Sequence, residues 1–450
     1  MNHVSDIKGL RAFTLIESLV FLFLFAVISI VFLETYATGT RMIIESKNRL
    51  GATALANQEM EIIRSIAYAS IGTTAGVPAG DLLETKDISV NTIRYTVYTF
   101  AQYVDDAFDG TAAGGNDAIP NDYKRVRITV TWGSGGADQK VVIFGNFSPK
   151  GVETDSGGGV LSINVLDGTG SGVPNASIHI VNAAAGVNIT TATDATGNLL
   201  LPGSPAGTEA YTLTVSKAGY FGATTYSTAT FVPVDVHASV VAGVFNQKTI
   251  VIDRSSDITF VTEDPFGTAI PDITYTITGG RRLGTMPLPT GTPVYGFTSN
   301  GTTNGSGVAT FTAQSAGEYA VSITSGQYEF YKVSPVSSLV TSFNATVGIA
   351  TDARAVLLDE DIGSVRVLVR TSADQAPLSG ASVRLRSATL AYDATVISDA
   401  FGLAYFPTAL PPLAPGTYDL EVTLAGYTTQ SESVNITTIL EAVEVDMTPN

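Results

Sequence analysis

Phe13-Thr14-Leu15-Ile16-Glu17-Ser18-Leu19-Val20-Phe21-Leu22-Phe23-Leu24-Phe25-Ala26-Val27-Ile28-Ser29-Ile30-Val31-Phe32-Leu33 is apolar except for Thr14, Glu17 and two serines. As a helix rising about 1.5 Å per residue, this stretch covers roughly 30 Å, the thickness of a bilayer core. A single carboxylate, Glu17, sits near its start. A carboxylate in a hydrocarbon-spanning helix is costly and calls for a partner.

The residues just before the stretch give Glu17 a reason. Lys8-Gly9-Leu10-Arg11-Ala12 is a short basic leader that runs directly into Phe13-Thr14-Leu15-Ile16-Glu17. A basic leader, a small residue at the cut, an aromatic first residue and Glu at the fifth mature position resemble the class III signal of type IV prepilins and pseudopilins. The resemblance covers about the first 35 residues. It implies cleavage between Ala12 and Phe13 by a prepilin peptidase, N-methylation of Phe13, and burial of the helix in a filament core with Glu17 as the assembly residue. The family usually has Gly before the cut, and here Ala12 stands there. Cutting after Gly9 would put Thr14 fifth, so Ala12 is the better assignment. Two plainer readings compete: a secretory signal cut after Thr35-Tyr36-Ala37, or a simple membrane anchor. Neither accounts for Glu17.

Composition bounds the rest of the chain. The chain has 450 residues, 14% charged, with 44 Gly and no Cys. That length accommodates several domains, and the Thr-, Val- and Gly-rich balance favours strands joined by tight turns. A net charge of −17 argues against nucleic-acid binding. The absence of Cys excludes disulfides and thiolate metal sites. Three scattered His residues are too few for a His-based zinc site.

Beyond Leu33 the sequence predicts a continued helix. Leu55, Ile62, Ile63 and Ile66 fall on one helical face, while Gly39 and Gly51 read as weak points. Gly72 to Gly80 breaks the pattern. Three strands follow, Thr92–Phe100, Tyr123–Trp132 and Lys140–Phe144, which an antiparallel sheet would lay on the amphipathic half of the helix.

After Asp155-Ser156-Gly157-Gly158-Gly159, a linker by composition, the chain repeats itself. Thr193-Asp194-Ala195-Thr196-Gly197 returns as Ser398-Asp399-Ala400-Phe401-Gly402, and Ala218-Gly219-Tyr220 as Ala425-Gly426-Tyr427. A divergent middle copy carries Thr303-Asn304-Gly305-Ser306-Gly307. Alternating strands with Asp/Asn-plus-Gly turns predict small β-sandwiches. The outer copies resemble carboxypeptidase-regulatory-like domains, and the middle copy is similar to a bacterial Ig-like domain.

The fold class expected is therefore α+β and pilin-like at the N-terminus, a long helix plus antiparallel sheet, followed by all-β sandwiches. The expected divisions are a leader at 1–12, a helix at 13–70 with its membrane part to about 35, a sheet domain at 71–152 and a linker at 153–159. Sandwiches follow at 160–245, 246–358 and 359–450.

One acidic cluster has the makings of a metal site. Asp105, Asp106 and Asp109 share a loop with Gly110, and Asp117 and Asp122 follow. Calcium takes six to eight oxygen ligands, which such a loop could offer, though the spacing is not that of an EF-hand. The competing reading is a solvated acidic loop. Enzyme signatures such as Gly-x-Ser-x-Gly, His-Glu-x-x-His or Walker A do not occur.

The reading is a minor type IV pilin or pilin-like filament subunit that displays β-sandwich modules for adhesion. Its expected partners are other pilin subunits, the prepilin peptidase, the inner membrane before assembly, and an extracellular ligand. A pseudopilin of a secretion system that engages a secreted substrate, and a membrane-tethered structural protein, stay open as alternatives.

Overall fold

A computed structural model describes residues 15–108, 110–115, 117, 119–133, 136, 139–150 and 157–450. It consists of one long N-terminal helix, a four-stranded antiparallel sheet laid against the helix's C-terminal part, and three β-sandwiches.

Helix α1 runs Leu15–Ser65, 51 residues without a proline. It stops five residues short of the predicted end, and Tyr68–Ser70 forms a 3-10 turn instead. Its last turns bury Ala52, Leu55, Ala56, Met60 and Ile63. Of the predicted face, Leu55 and Ile63 are buried and Ile66 is half-buried. Ile62 lies on the flank, 42% exposed. Gly51 is no weak point: a Cβ there would meet the Tyr95 hydroxyl at 2.5 Å. Glycine is what lets the helix approach the sheet at that position.

The sheet contains β1 (Thr85–Val90), β2 (Ile93–Val104), β3 (Tyr123–Trp132) and β4 (Lys140–Phe147), ordered β1-β2-β3-β4. Strand β1 was not expected from the sequence. Strict alternation on β3 sends Val126, Ile128, Val130 and Trp132 toward α1. Polar contacts tie helix to sheet: Trp132 Nε1 donates to Glu45 Oε1 at 3.1 Å, Tyr95 Oη to Asn48 O at 3.2 Å, and Lys86 Nζ on β1 to Glu59 Oε2 at 2.7 Å.

Each sandwich repeats one topology. Its first strand lies between an antiparallel neighbour and its last strand, and that last pairing is parallel. The pairs are Gly159–Leu166 with Phe245–Val251, Ser256–Glu263 with Thr351–Asp359, and Ser364–Thr371 with Leu440–Met447. This closure corrects the predicted boundary at 245. The strand Phe245–Val251 belongs to the first sandwich, and Ile250 and Ile252 are buried in its core. The predicted linker is also shorter than expected. Gly159 already begins a strand, where a Cβ would meet Val241 O at 2.2 Å.

The repeated turns have one mechanism. A side-chain Oδ1 of Asp194, Asn304 or Asp399 accepts the backbone N–H groups two and four residues on. The glycine three residues on then takes a left-handed φ, +84° at Gly197, +70° at Gly307 and +71° at Gly402. Asp or Asn closes the turn and Gly relieves its backbone, so the pair recurs.

Candidate functional site

The first half of α1 is bare. Leu15, Phe21, Phe32 and Leu50 are 82%, 70%, 68% and 72% exposed, and none of the described residues covers them. This is one helix long and apolar enough to cross a membrane. Its hydroxyls are satisfied within the helix: Ser29, Thr35 and Thr40 donate to the carbonyls of Phe25, Val31 and Tyr36 at 2.8, 2.8 and 2.9 Å. Polar groups closed in this way suit an apolar solvent. Ala12 and Phe13 lie outside the described residues. Glu17 is placed on α1, and its side chain lies outside the description.

The acidic loop uses its carboxylates as backbone acceptors. Asp105 Oδ2 accepts from Ala112 N at 3.1 Å, Asp106 Oδ1 from Phe108 N at 3.1 Å, and Asp117 Oδ1 from Ile119 N at 2.8 Å. Asp122 Oδ2 accepts from Asp106 N. Among the described residues, no three His, Asp or Glu side chains are placed together as metal ligands. Asp109 lies outside the described residues.

Beside this loop stands a residue that sequence reasoning missed. Lys124, only 2% exposed, donates through Nζ to Tyr68 O at 2.9 Å and Ile71 O at 2.7 Å. Its ammonium also lies over the rings of Tyr68 and Tyr103, 4.6 and 5.5 Å from their centroids. Burial pushes its pKa down to about 8. The signal was present in the sequence: Lys124 shares the parity of Val126 and Ile128 and so had to point inward.

The modules are joined by built junctions. Val77, from the glycine-rich turn after α1, is buried in the first sandwich's core, and Asn188 N donates to Ala75 O at 2.8 Å. Between the first and middle sandwiches, the strand Thr274–Thr285 bulges at Gly279–Gly280. Up to Gly279 it pairs with Gly317–Thr324 of its own sandwich. At Gly284 and Thr285 it pairs instead with Val232–Pro233 of the first. A Cβ at Gly279 would meet Glu318 O at 2.2 Å, and Gly280 has φ +70°. Two glycines thus permit the bend that carries the strand across. Arg281 fastens it, donating to Val251 O at 2.6 Å and Asp235 Oδ2 at 2.9 Å.

The middle and last sandwiches pack face to face. Tyr331, Leu358, Leu403 and Tyr405 form a buried cluster, flanked by the ion pairs Lys332–Asp399 at 2.9 Å and Arg366–Glu329 at 3.0 Å. The two repeated tyrosines each pack on their own sandwich's core; Tyr220 in addition lies at the first junction, between Lys217 and Arg254.

With this geometry in hand, the likenesses to known proteins are limited. Residues 160–242 match the carboxypeptidase regulatory-like domain. No curated protein matches the chain. Among solved structures, the Bacillus anthracis TIE protein is similar at 14% identity, covering 81% of this chain and 73% of that one, with a TM-score of 0.20. A streptococcal ancillary pilin is similar at 11% identity over 65% of this chain and 99% of its own, TM-score 0.19. The minor pilin of Streptococcus agalactiae is similar at 17% identity over 44% and 97%, TM-score 0.19.

Proposed function

We propose that the chain is a minor type IV pilin or pilin-like filament subunit that carries three β-sandwiches outward for surface binding. One observation carries this reading: a bare apolar half-helix, bearing Glu17 near its start, extends from a head that covers only the other half. Bare Phe and Leu side chains need hydrocarbon or other helices around them. A membrane provides the first environment and a bundle of like helices the second. The Phe13-Thr14-Leu15-Ile16-Glu17 run supports passage from one to the other, because an ammonium freed at Phe13 on a neighbouring subunit would offset the buried charge of Glu17.

The head supports a sparse or terminal place in such a filament. Residues 157–450 form three sandwiches beyond the helix–sheet unit, a bulk that would crowd a dense shaft. Immunogold labelling with an antibody to the last sandwich, residues 364–450, tests the reading. Gold at filament tips or at sparse intervals is expected, and it should disappear in Glu17→Leu cells that still hold the protein in the membrane. Label confined to the membrane in wild-type cells would overturn the filament reading. Such label together with lost secretion in a deletion strain would place the chain in a secretion pseudopilus.

A further inference from the structure

We propose that the cleft between the first and middle sandwiches is a binding site for a small carboxylate with an apolar body. The inference does not depend on how the helix is used. The cleft has a volume of about 320 Å³, within the range of small-molecule sites, and lies at a junction between domains, where such sites concentrate. Val215, Phe221 and Ala223 line it from the first sandwich and Leu283 from the middle one. Both walls are fixed, because the strand crossing at Gly284–Thr285 and the Arg281–Asp235 pair hold the two sandwiches together. A preformed cleft binds without a large ordering cost.

Charge identifies the ligand class. The chain carries a net charge of −17, yet five of the seven Lys and Arg residues between 157 and 359 gather at this junction: Lys217, Lys248, Arg254, Arg281 and Arg282. Asp235 takes up Arg281 at 2.9 Å and Lys248 at 3.9 Å. Lys217, Arg254 and Arg282 make no ion pair among the described residues. Lys217 and Arg254 flank the Tyr220 ring, next to Phe221 in the cleft wall. Arg282 lines the cleft itself, anchored by donation from Nε to Gly284 O at 3.2 Å and from Nη2 to the Thr285 hydroxyl. Its planar guanidinium suits a carboxylate, and the aromatic and aliphatic walls suit a ring or short chain.

Phenylbutyrate bearing a fluorine on its ring is a suitable probe, followed by fluorine NMR with the full-length protein in lipid nanodiscs and empty nanodiscs subtracted. Saturable binding is expected, about tenfold weaker for the neutral amide of the same probe. Arg282→Gln should weaken carboxylate binding about tenfold. Gly296→Leu should abolish it by filling the cleft, since a Cβ at 296 meets only ordinary contacts, at 3.4 Å and beyond. Unchanged melting of both variants will show that the fold is kept. Absence of saturable binding to the wild type, equal binding of acid and amide, or saturation that survives both substitutions would overturn the proposal and leave the cations as a structural clasp.

Discussion

The two halves of α1 share one backbone and meet different surroundings. From Leu15 to Leu50 its large apolar side chains stand bare, while from Ala52 to Ile63 every third or fourth residue is sealed against β2, β3 and β4. Helix propensity does not distinguish them, since both are rich in Leu, Ile and Ala. Cover distinguishes them: the second half's sheet comes from the same chain, and the first half's must come from outside it. A single helix therefore records two solvents, and the boundary between them is set by where the sheet ends.

The largest expected effect comes from removing most of the bare part. A chain beginning near Arg41 should be soluble without detergent and melt as the full-length protein does, while the full-length protein partitions entirely with membrane or detergent. Aggregation of the shortened chain would show that the head needs the bare half for its own packing.

The end of the covered half rests on Lys124, which ties down the turn after α1. Lys124→Met keeps the volume but removes the donor to Ile71 O and one of the two donors to Tyr68 O, which keeps Ile71 N at 3.2 Å, and should cost about 1–3 kcal/mol in denaturant unfolding at neutral pH. The pH dependence has a definite sign. Burial lowers the folded-state pKa to about 8 from 10.5, so the unfolded chain binds more protons between those values. Stability therefore rises with pH across that window, and the wild type should gain on Lys124→Met from pH 8 to pH 10. A gap that stays constant would mean that Lys124 is not held at a lowered pKa.

A matched pair of glycines sharpens the contrast between the halves. Gly51→Leu must push against the buried Tyr95 ring and should cost about 2 kcal/mol in head stability. Gly39→Leu meets nothing within 4 Å and should leave the head unchanged. Equal effects in thermal melts would contradict the division.

The smallest effect is expected in the acidic loop. Its described carboxylates already accept backbone N–H groups, so calcium in place of chelator should leave the melting temperature unchanged. A rise that Asp105→Ala removes would instead bring Asp109 and its neighbours together around a cation.

Much of this architecture was legible because it rests on local rules. The helix followed from proline-free apolar sequence, β2 and β3 from alternation, and the repeats from Asp or Asn with Gly three residues on. The junctions were not legible, because they depend on contacts between distant segments. Gly279-Gly280 reads as a turn until Gly317–Thr324 is placed beside it and the strand is seen to cross to Val232–Pro233. Asp235 and Arg281 lie 46 positions apart in different sandwiches, and nothing local marks them as a pair. The boundary at 245 failed for the same reason, since a parallel pairing with Gly159–Leu166 leaves no turn between its strands to be read. Lys124 is the contrary case: strand parity alone placed it inside, and its charge masked the signal.

The central claim, that the bare half of α1 is a processed filament helix, rests on where the mature chain begins. Mass spectrometry of the N-terminal peptide from membrane and sheared-filament fractions tests it directly. The account predicts a terminus at Phe13, methylated on its amine, in both fractions. A terminus at Thr38 would show removal of the apolar stretch as a secretory signal, and an uncleaved Met1 would show a permanent anchor. Either result would contradict the account.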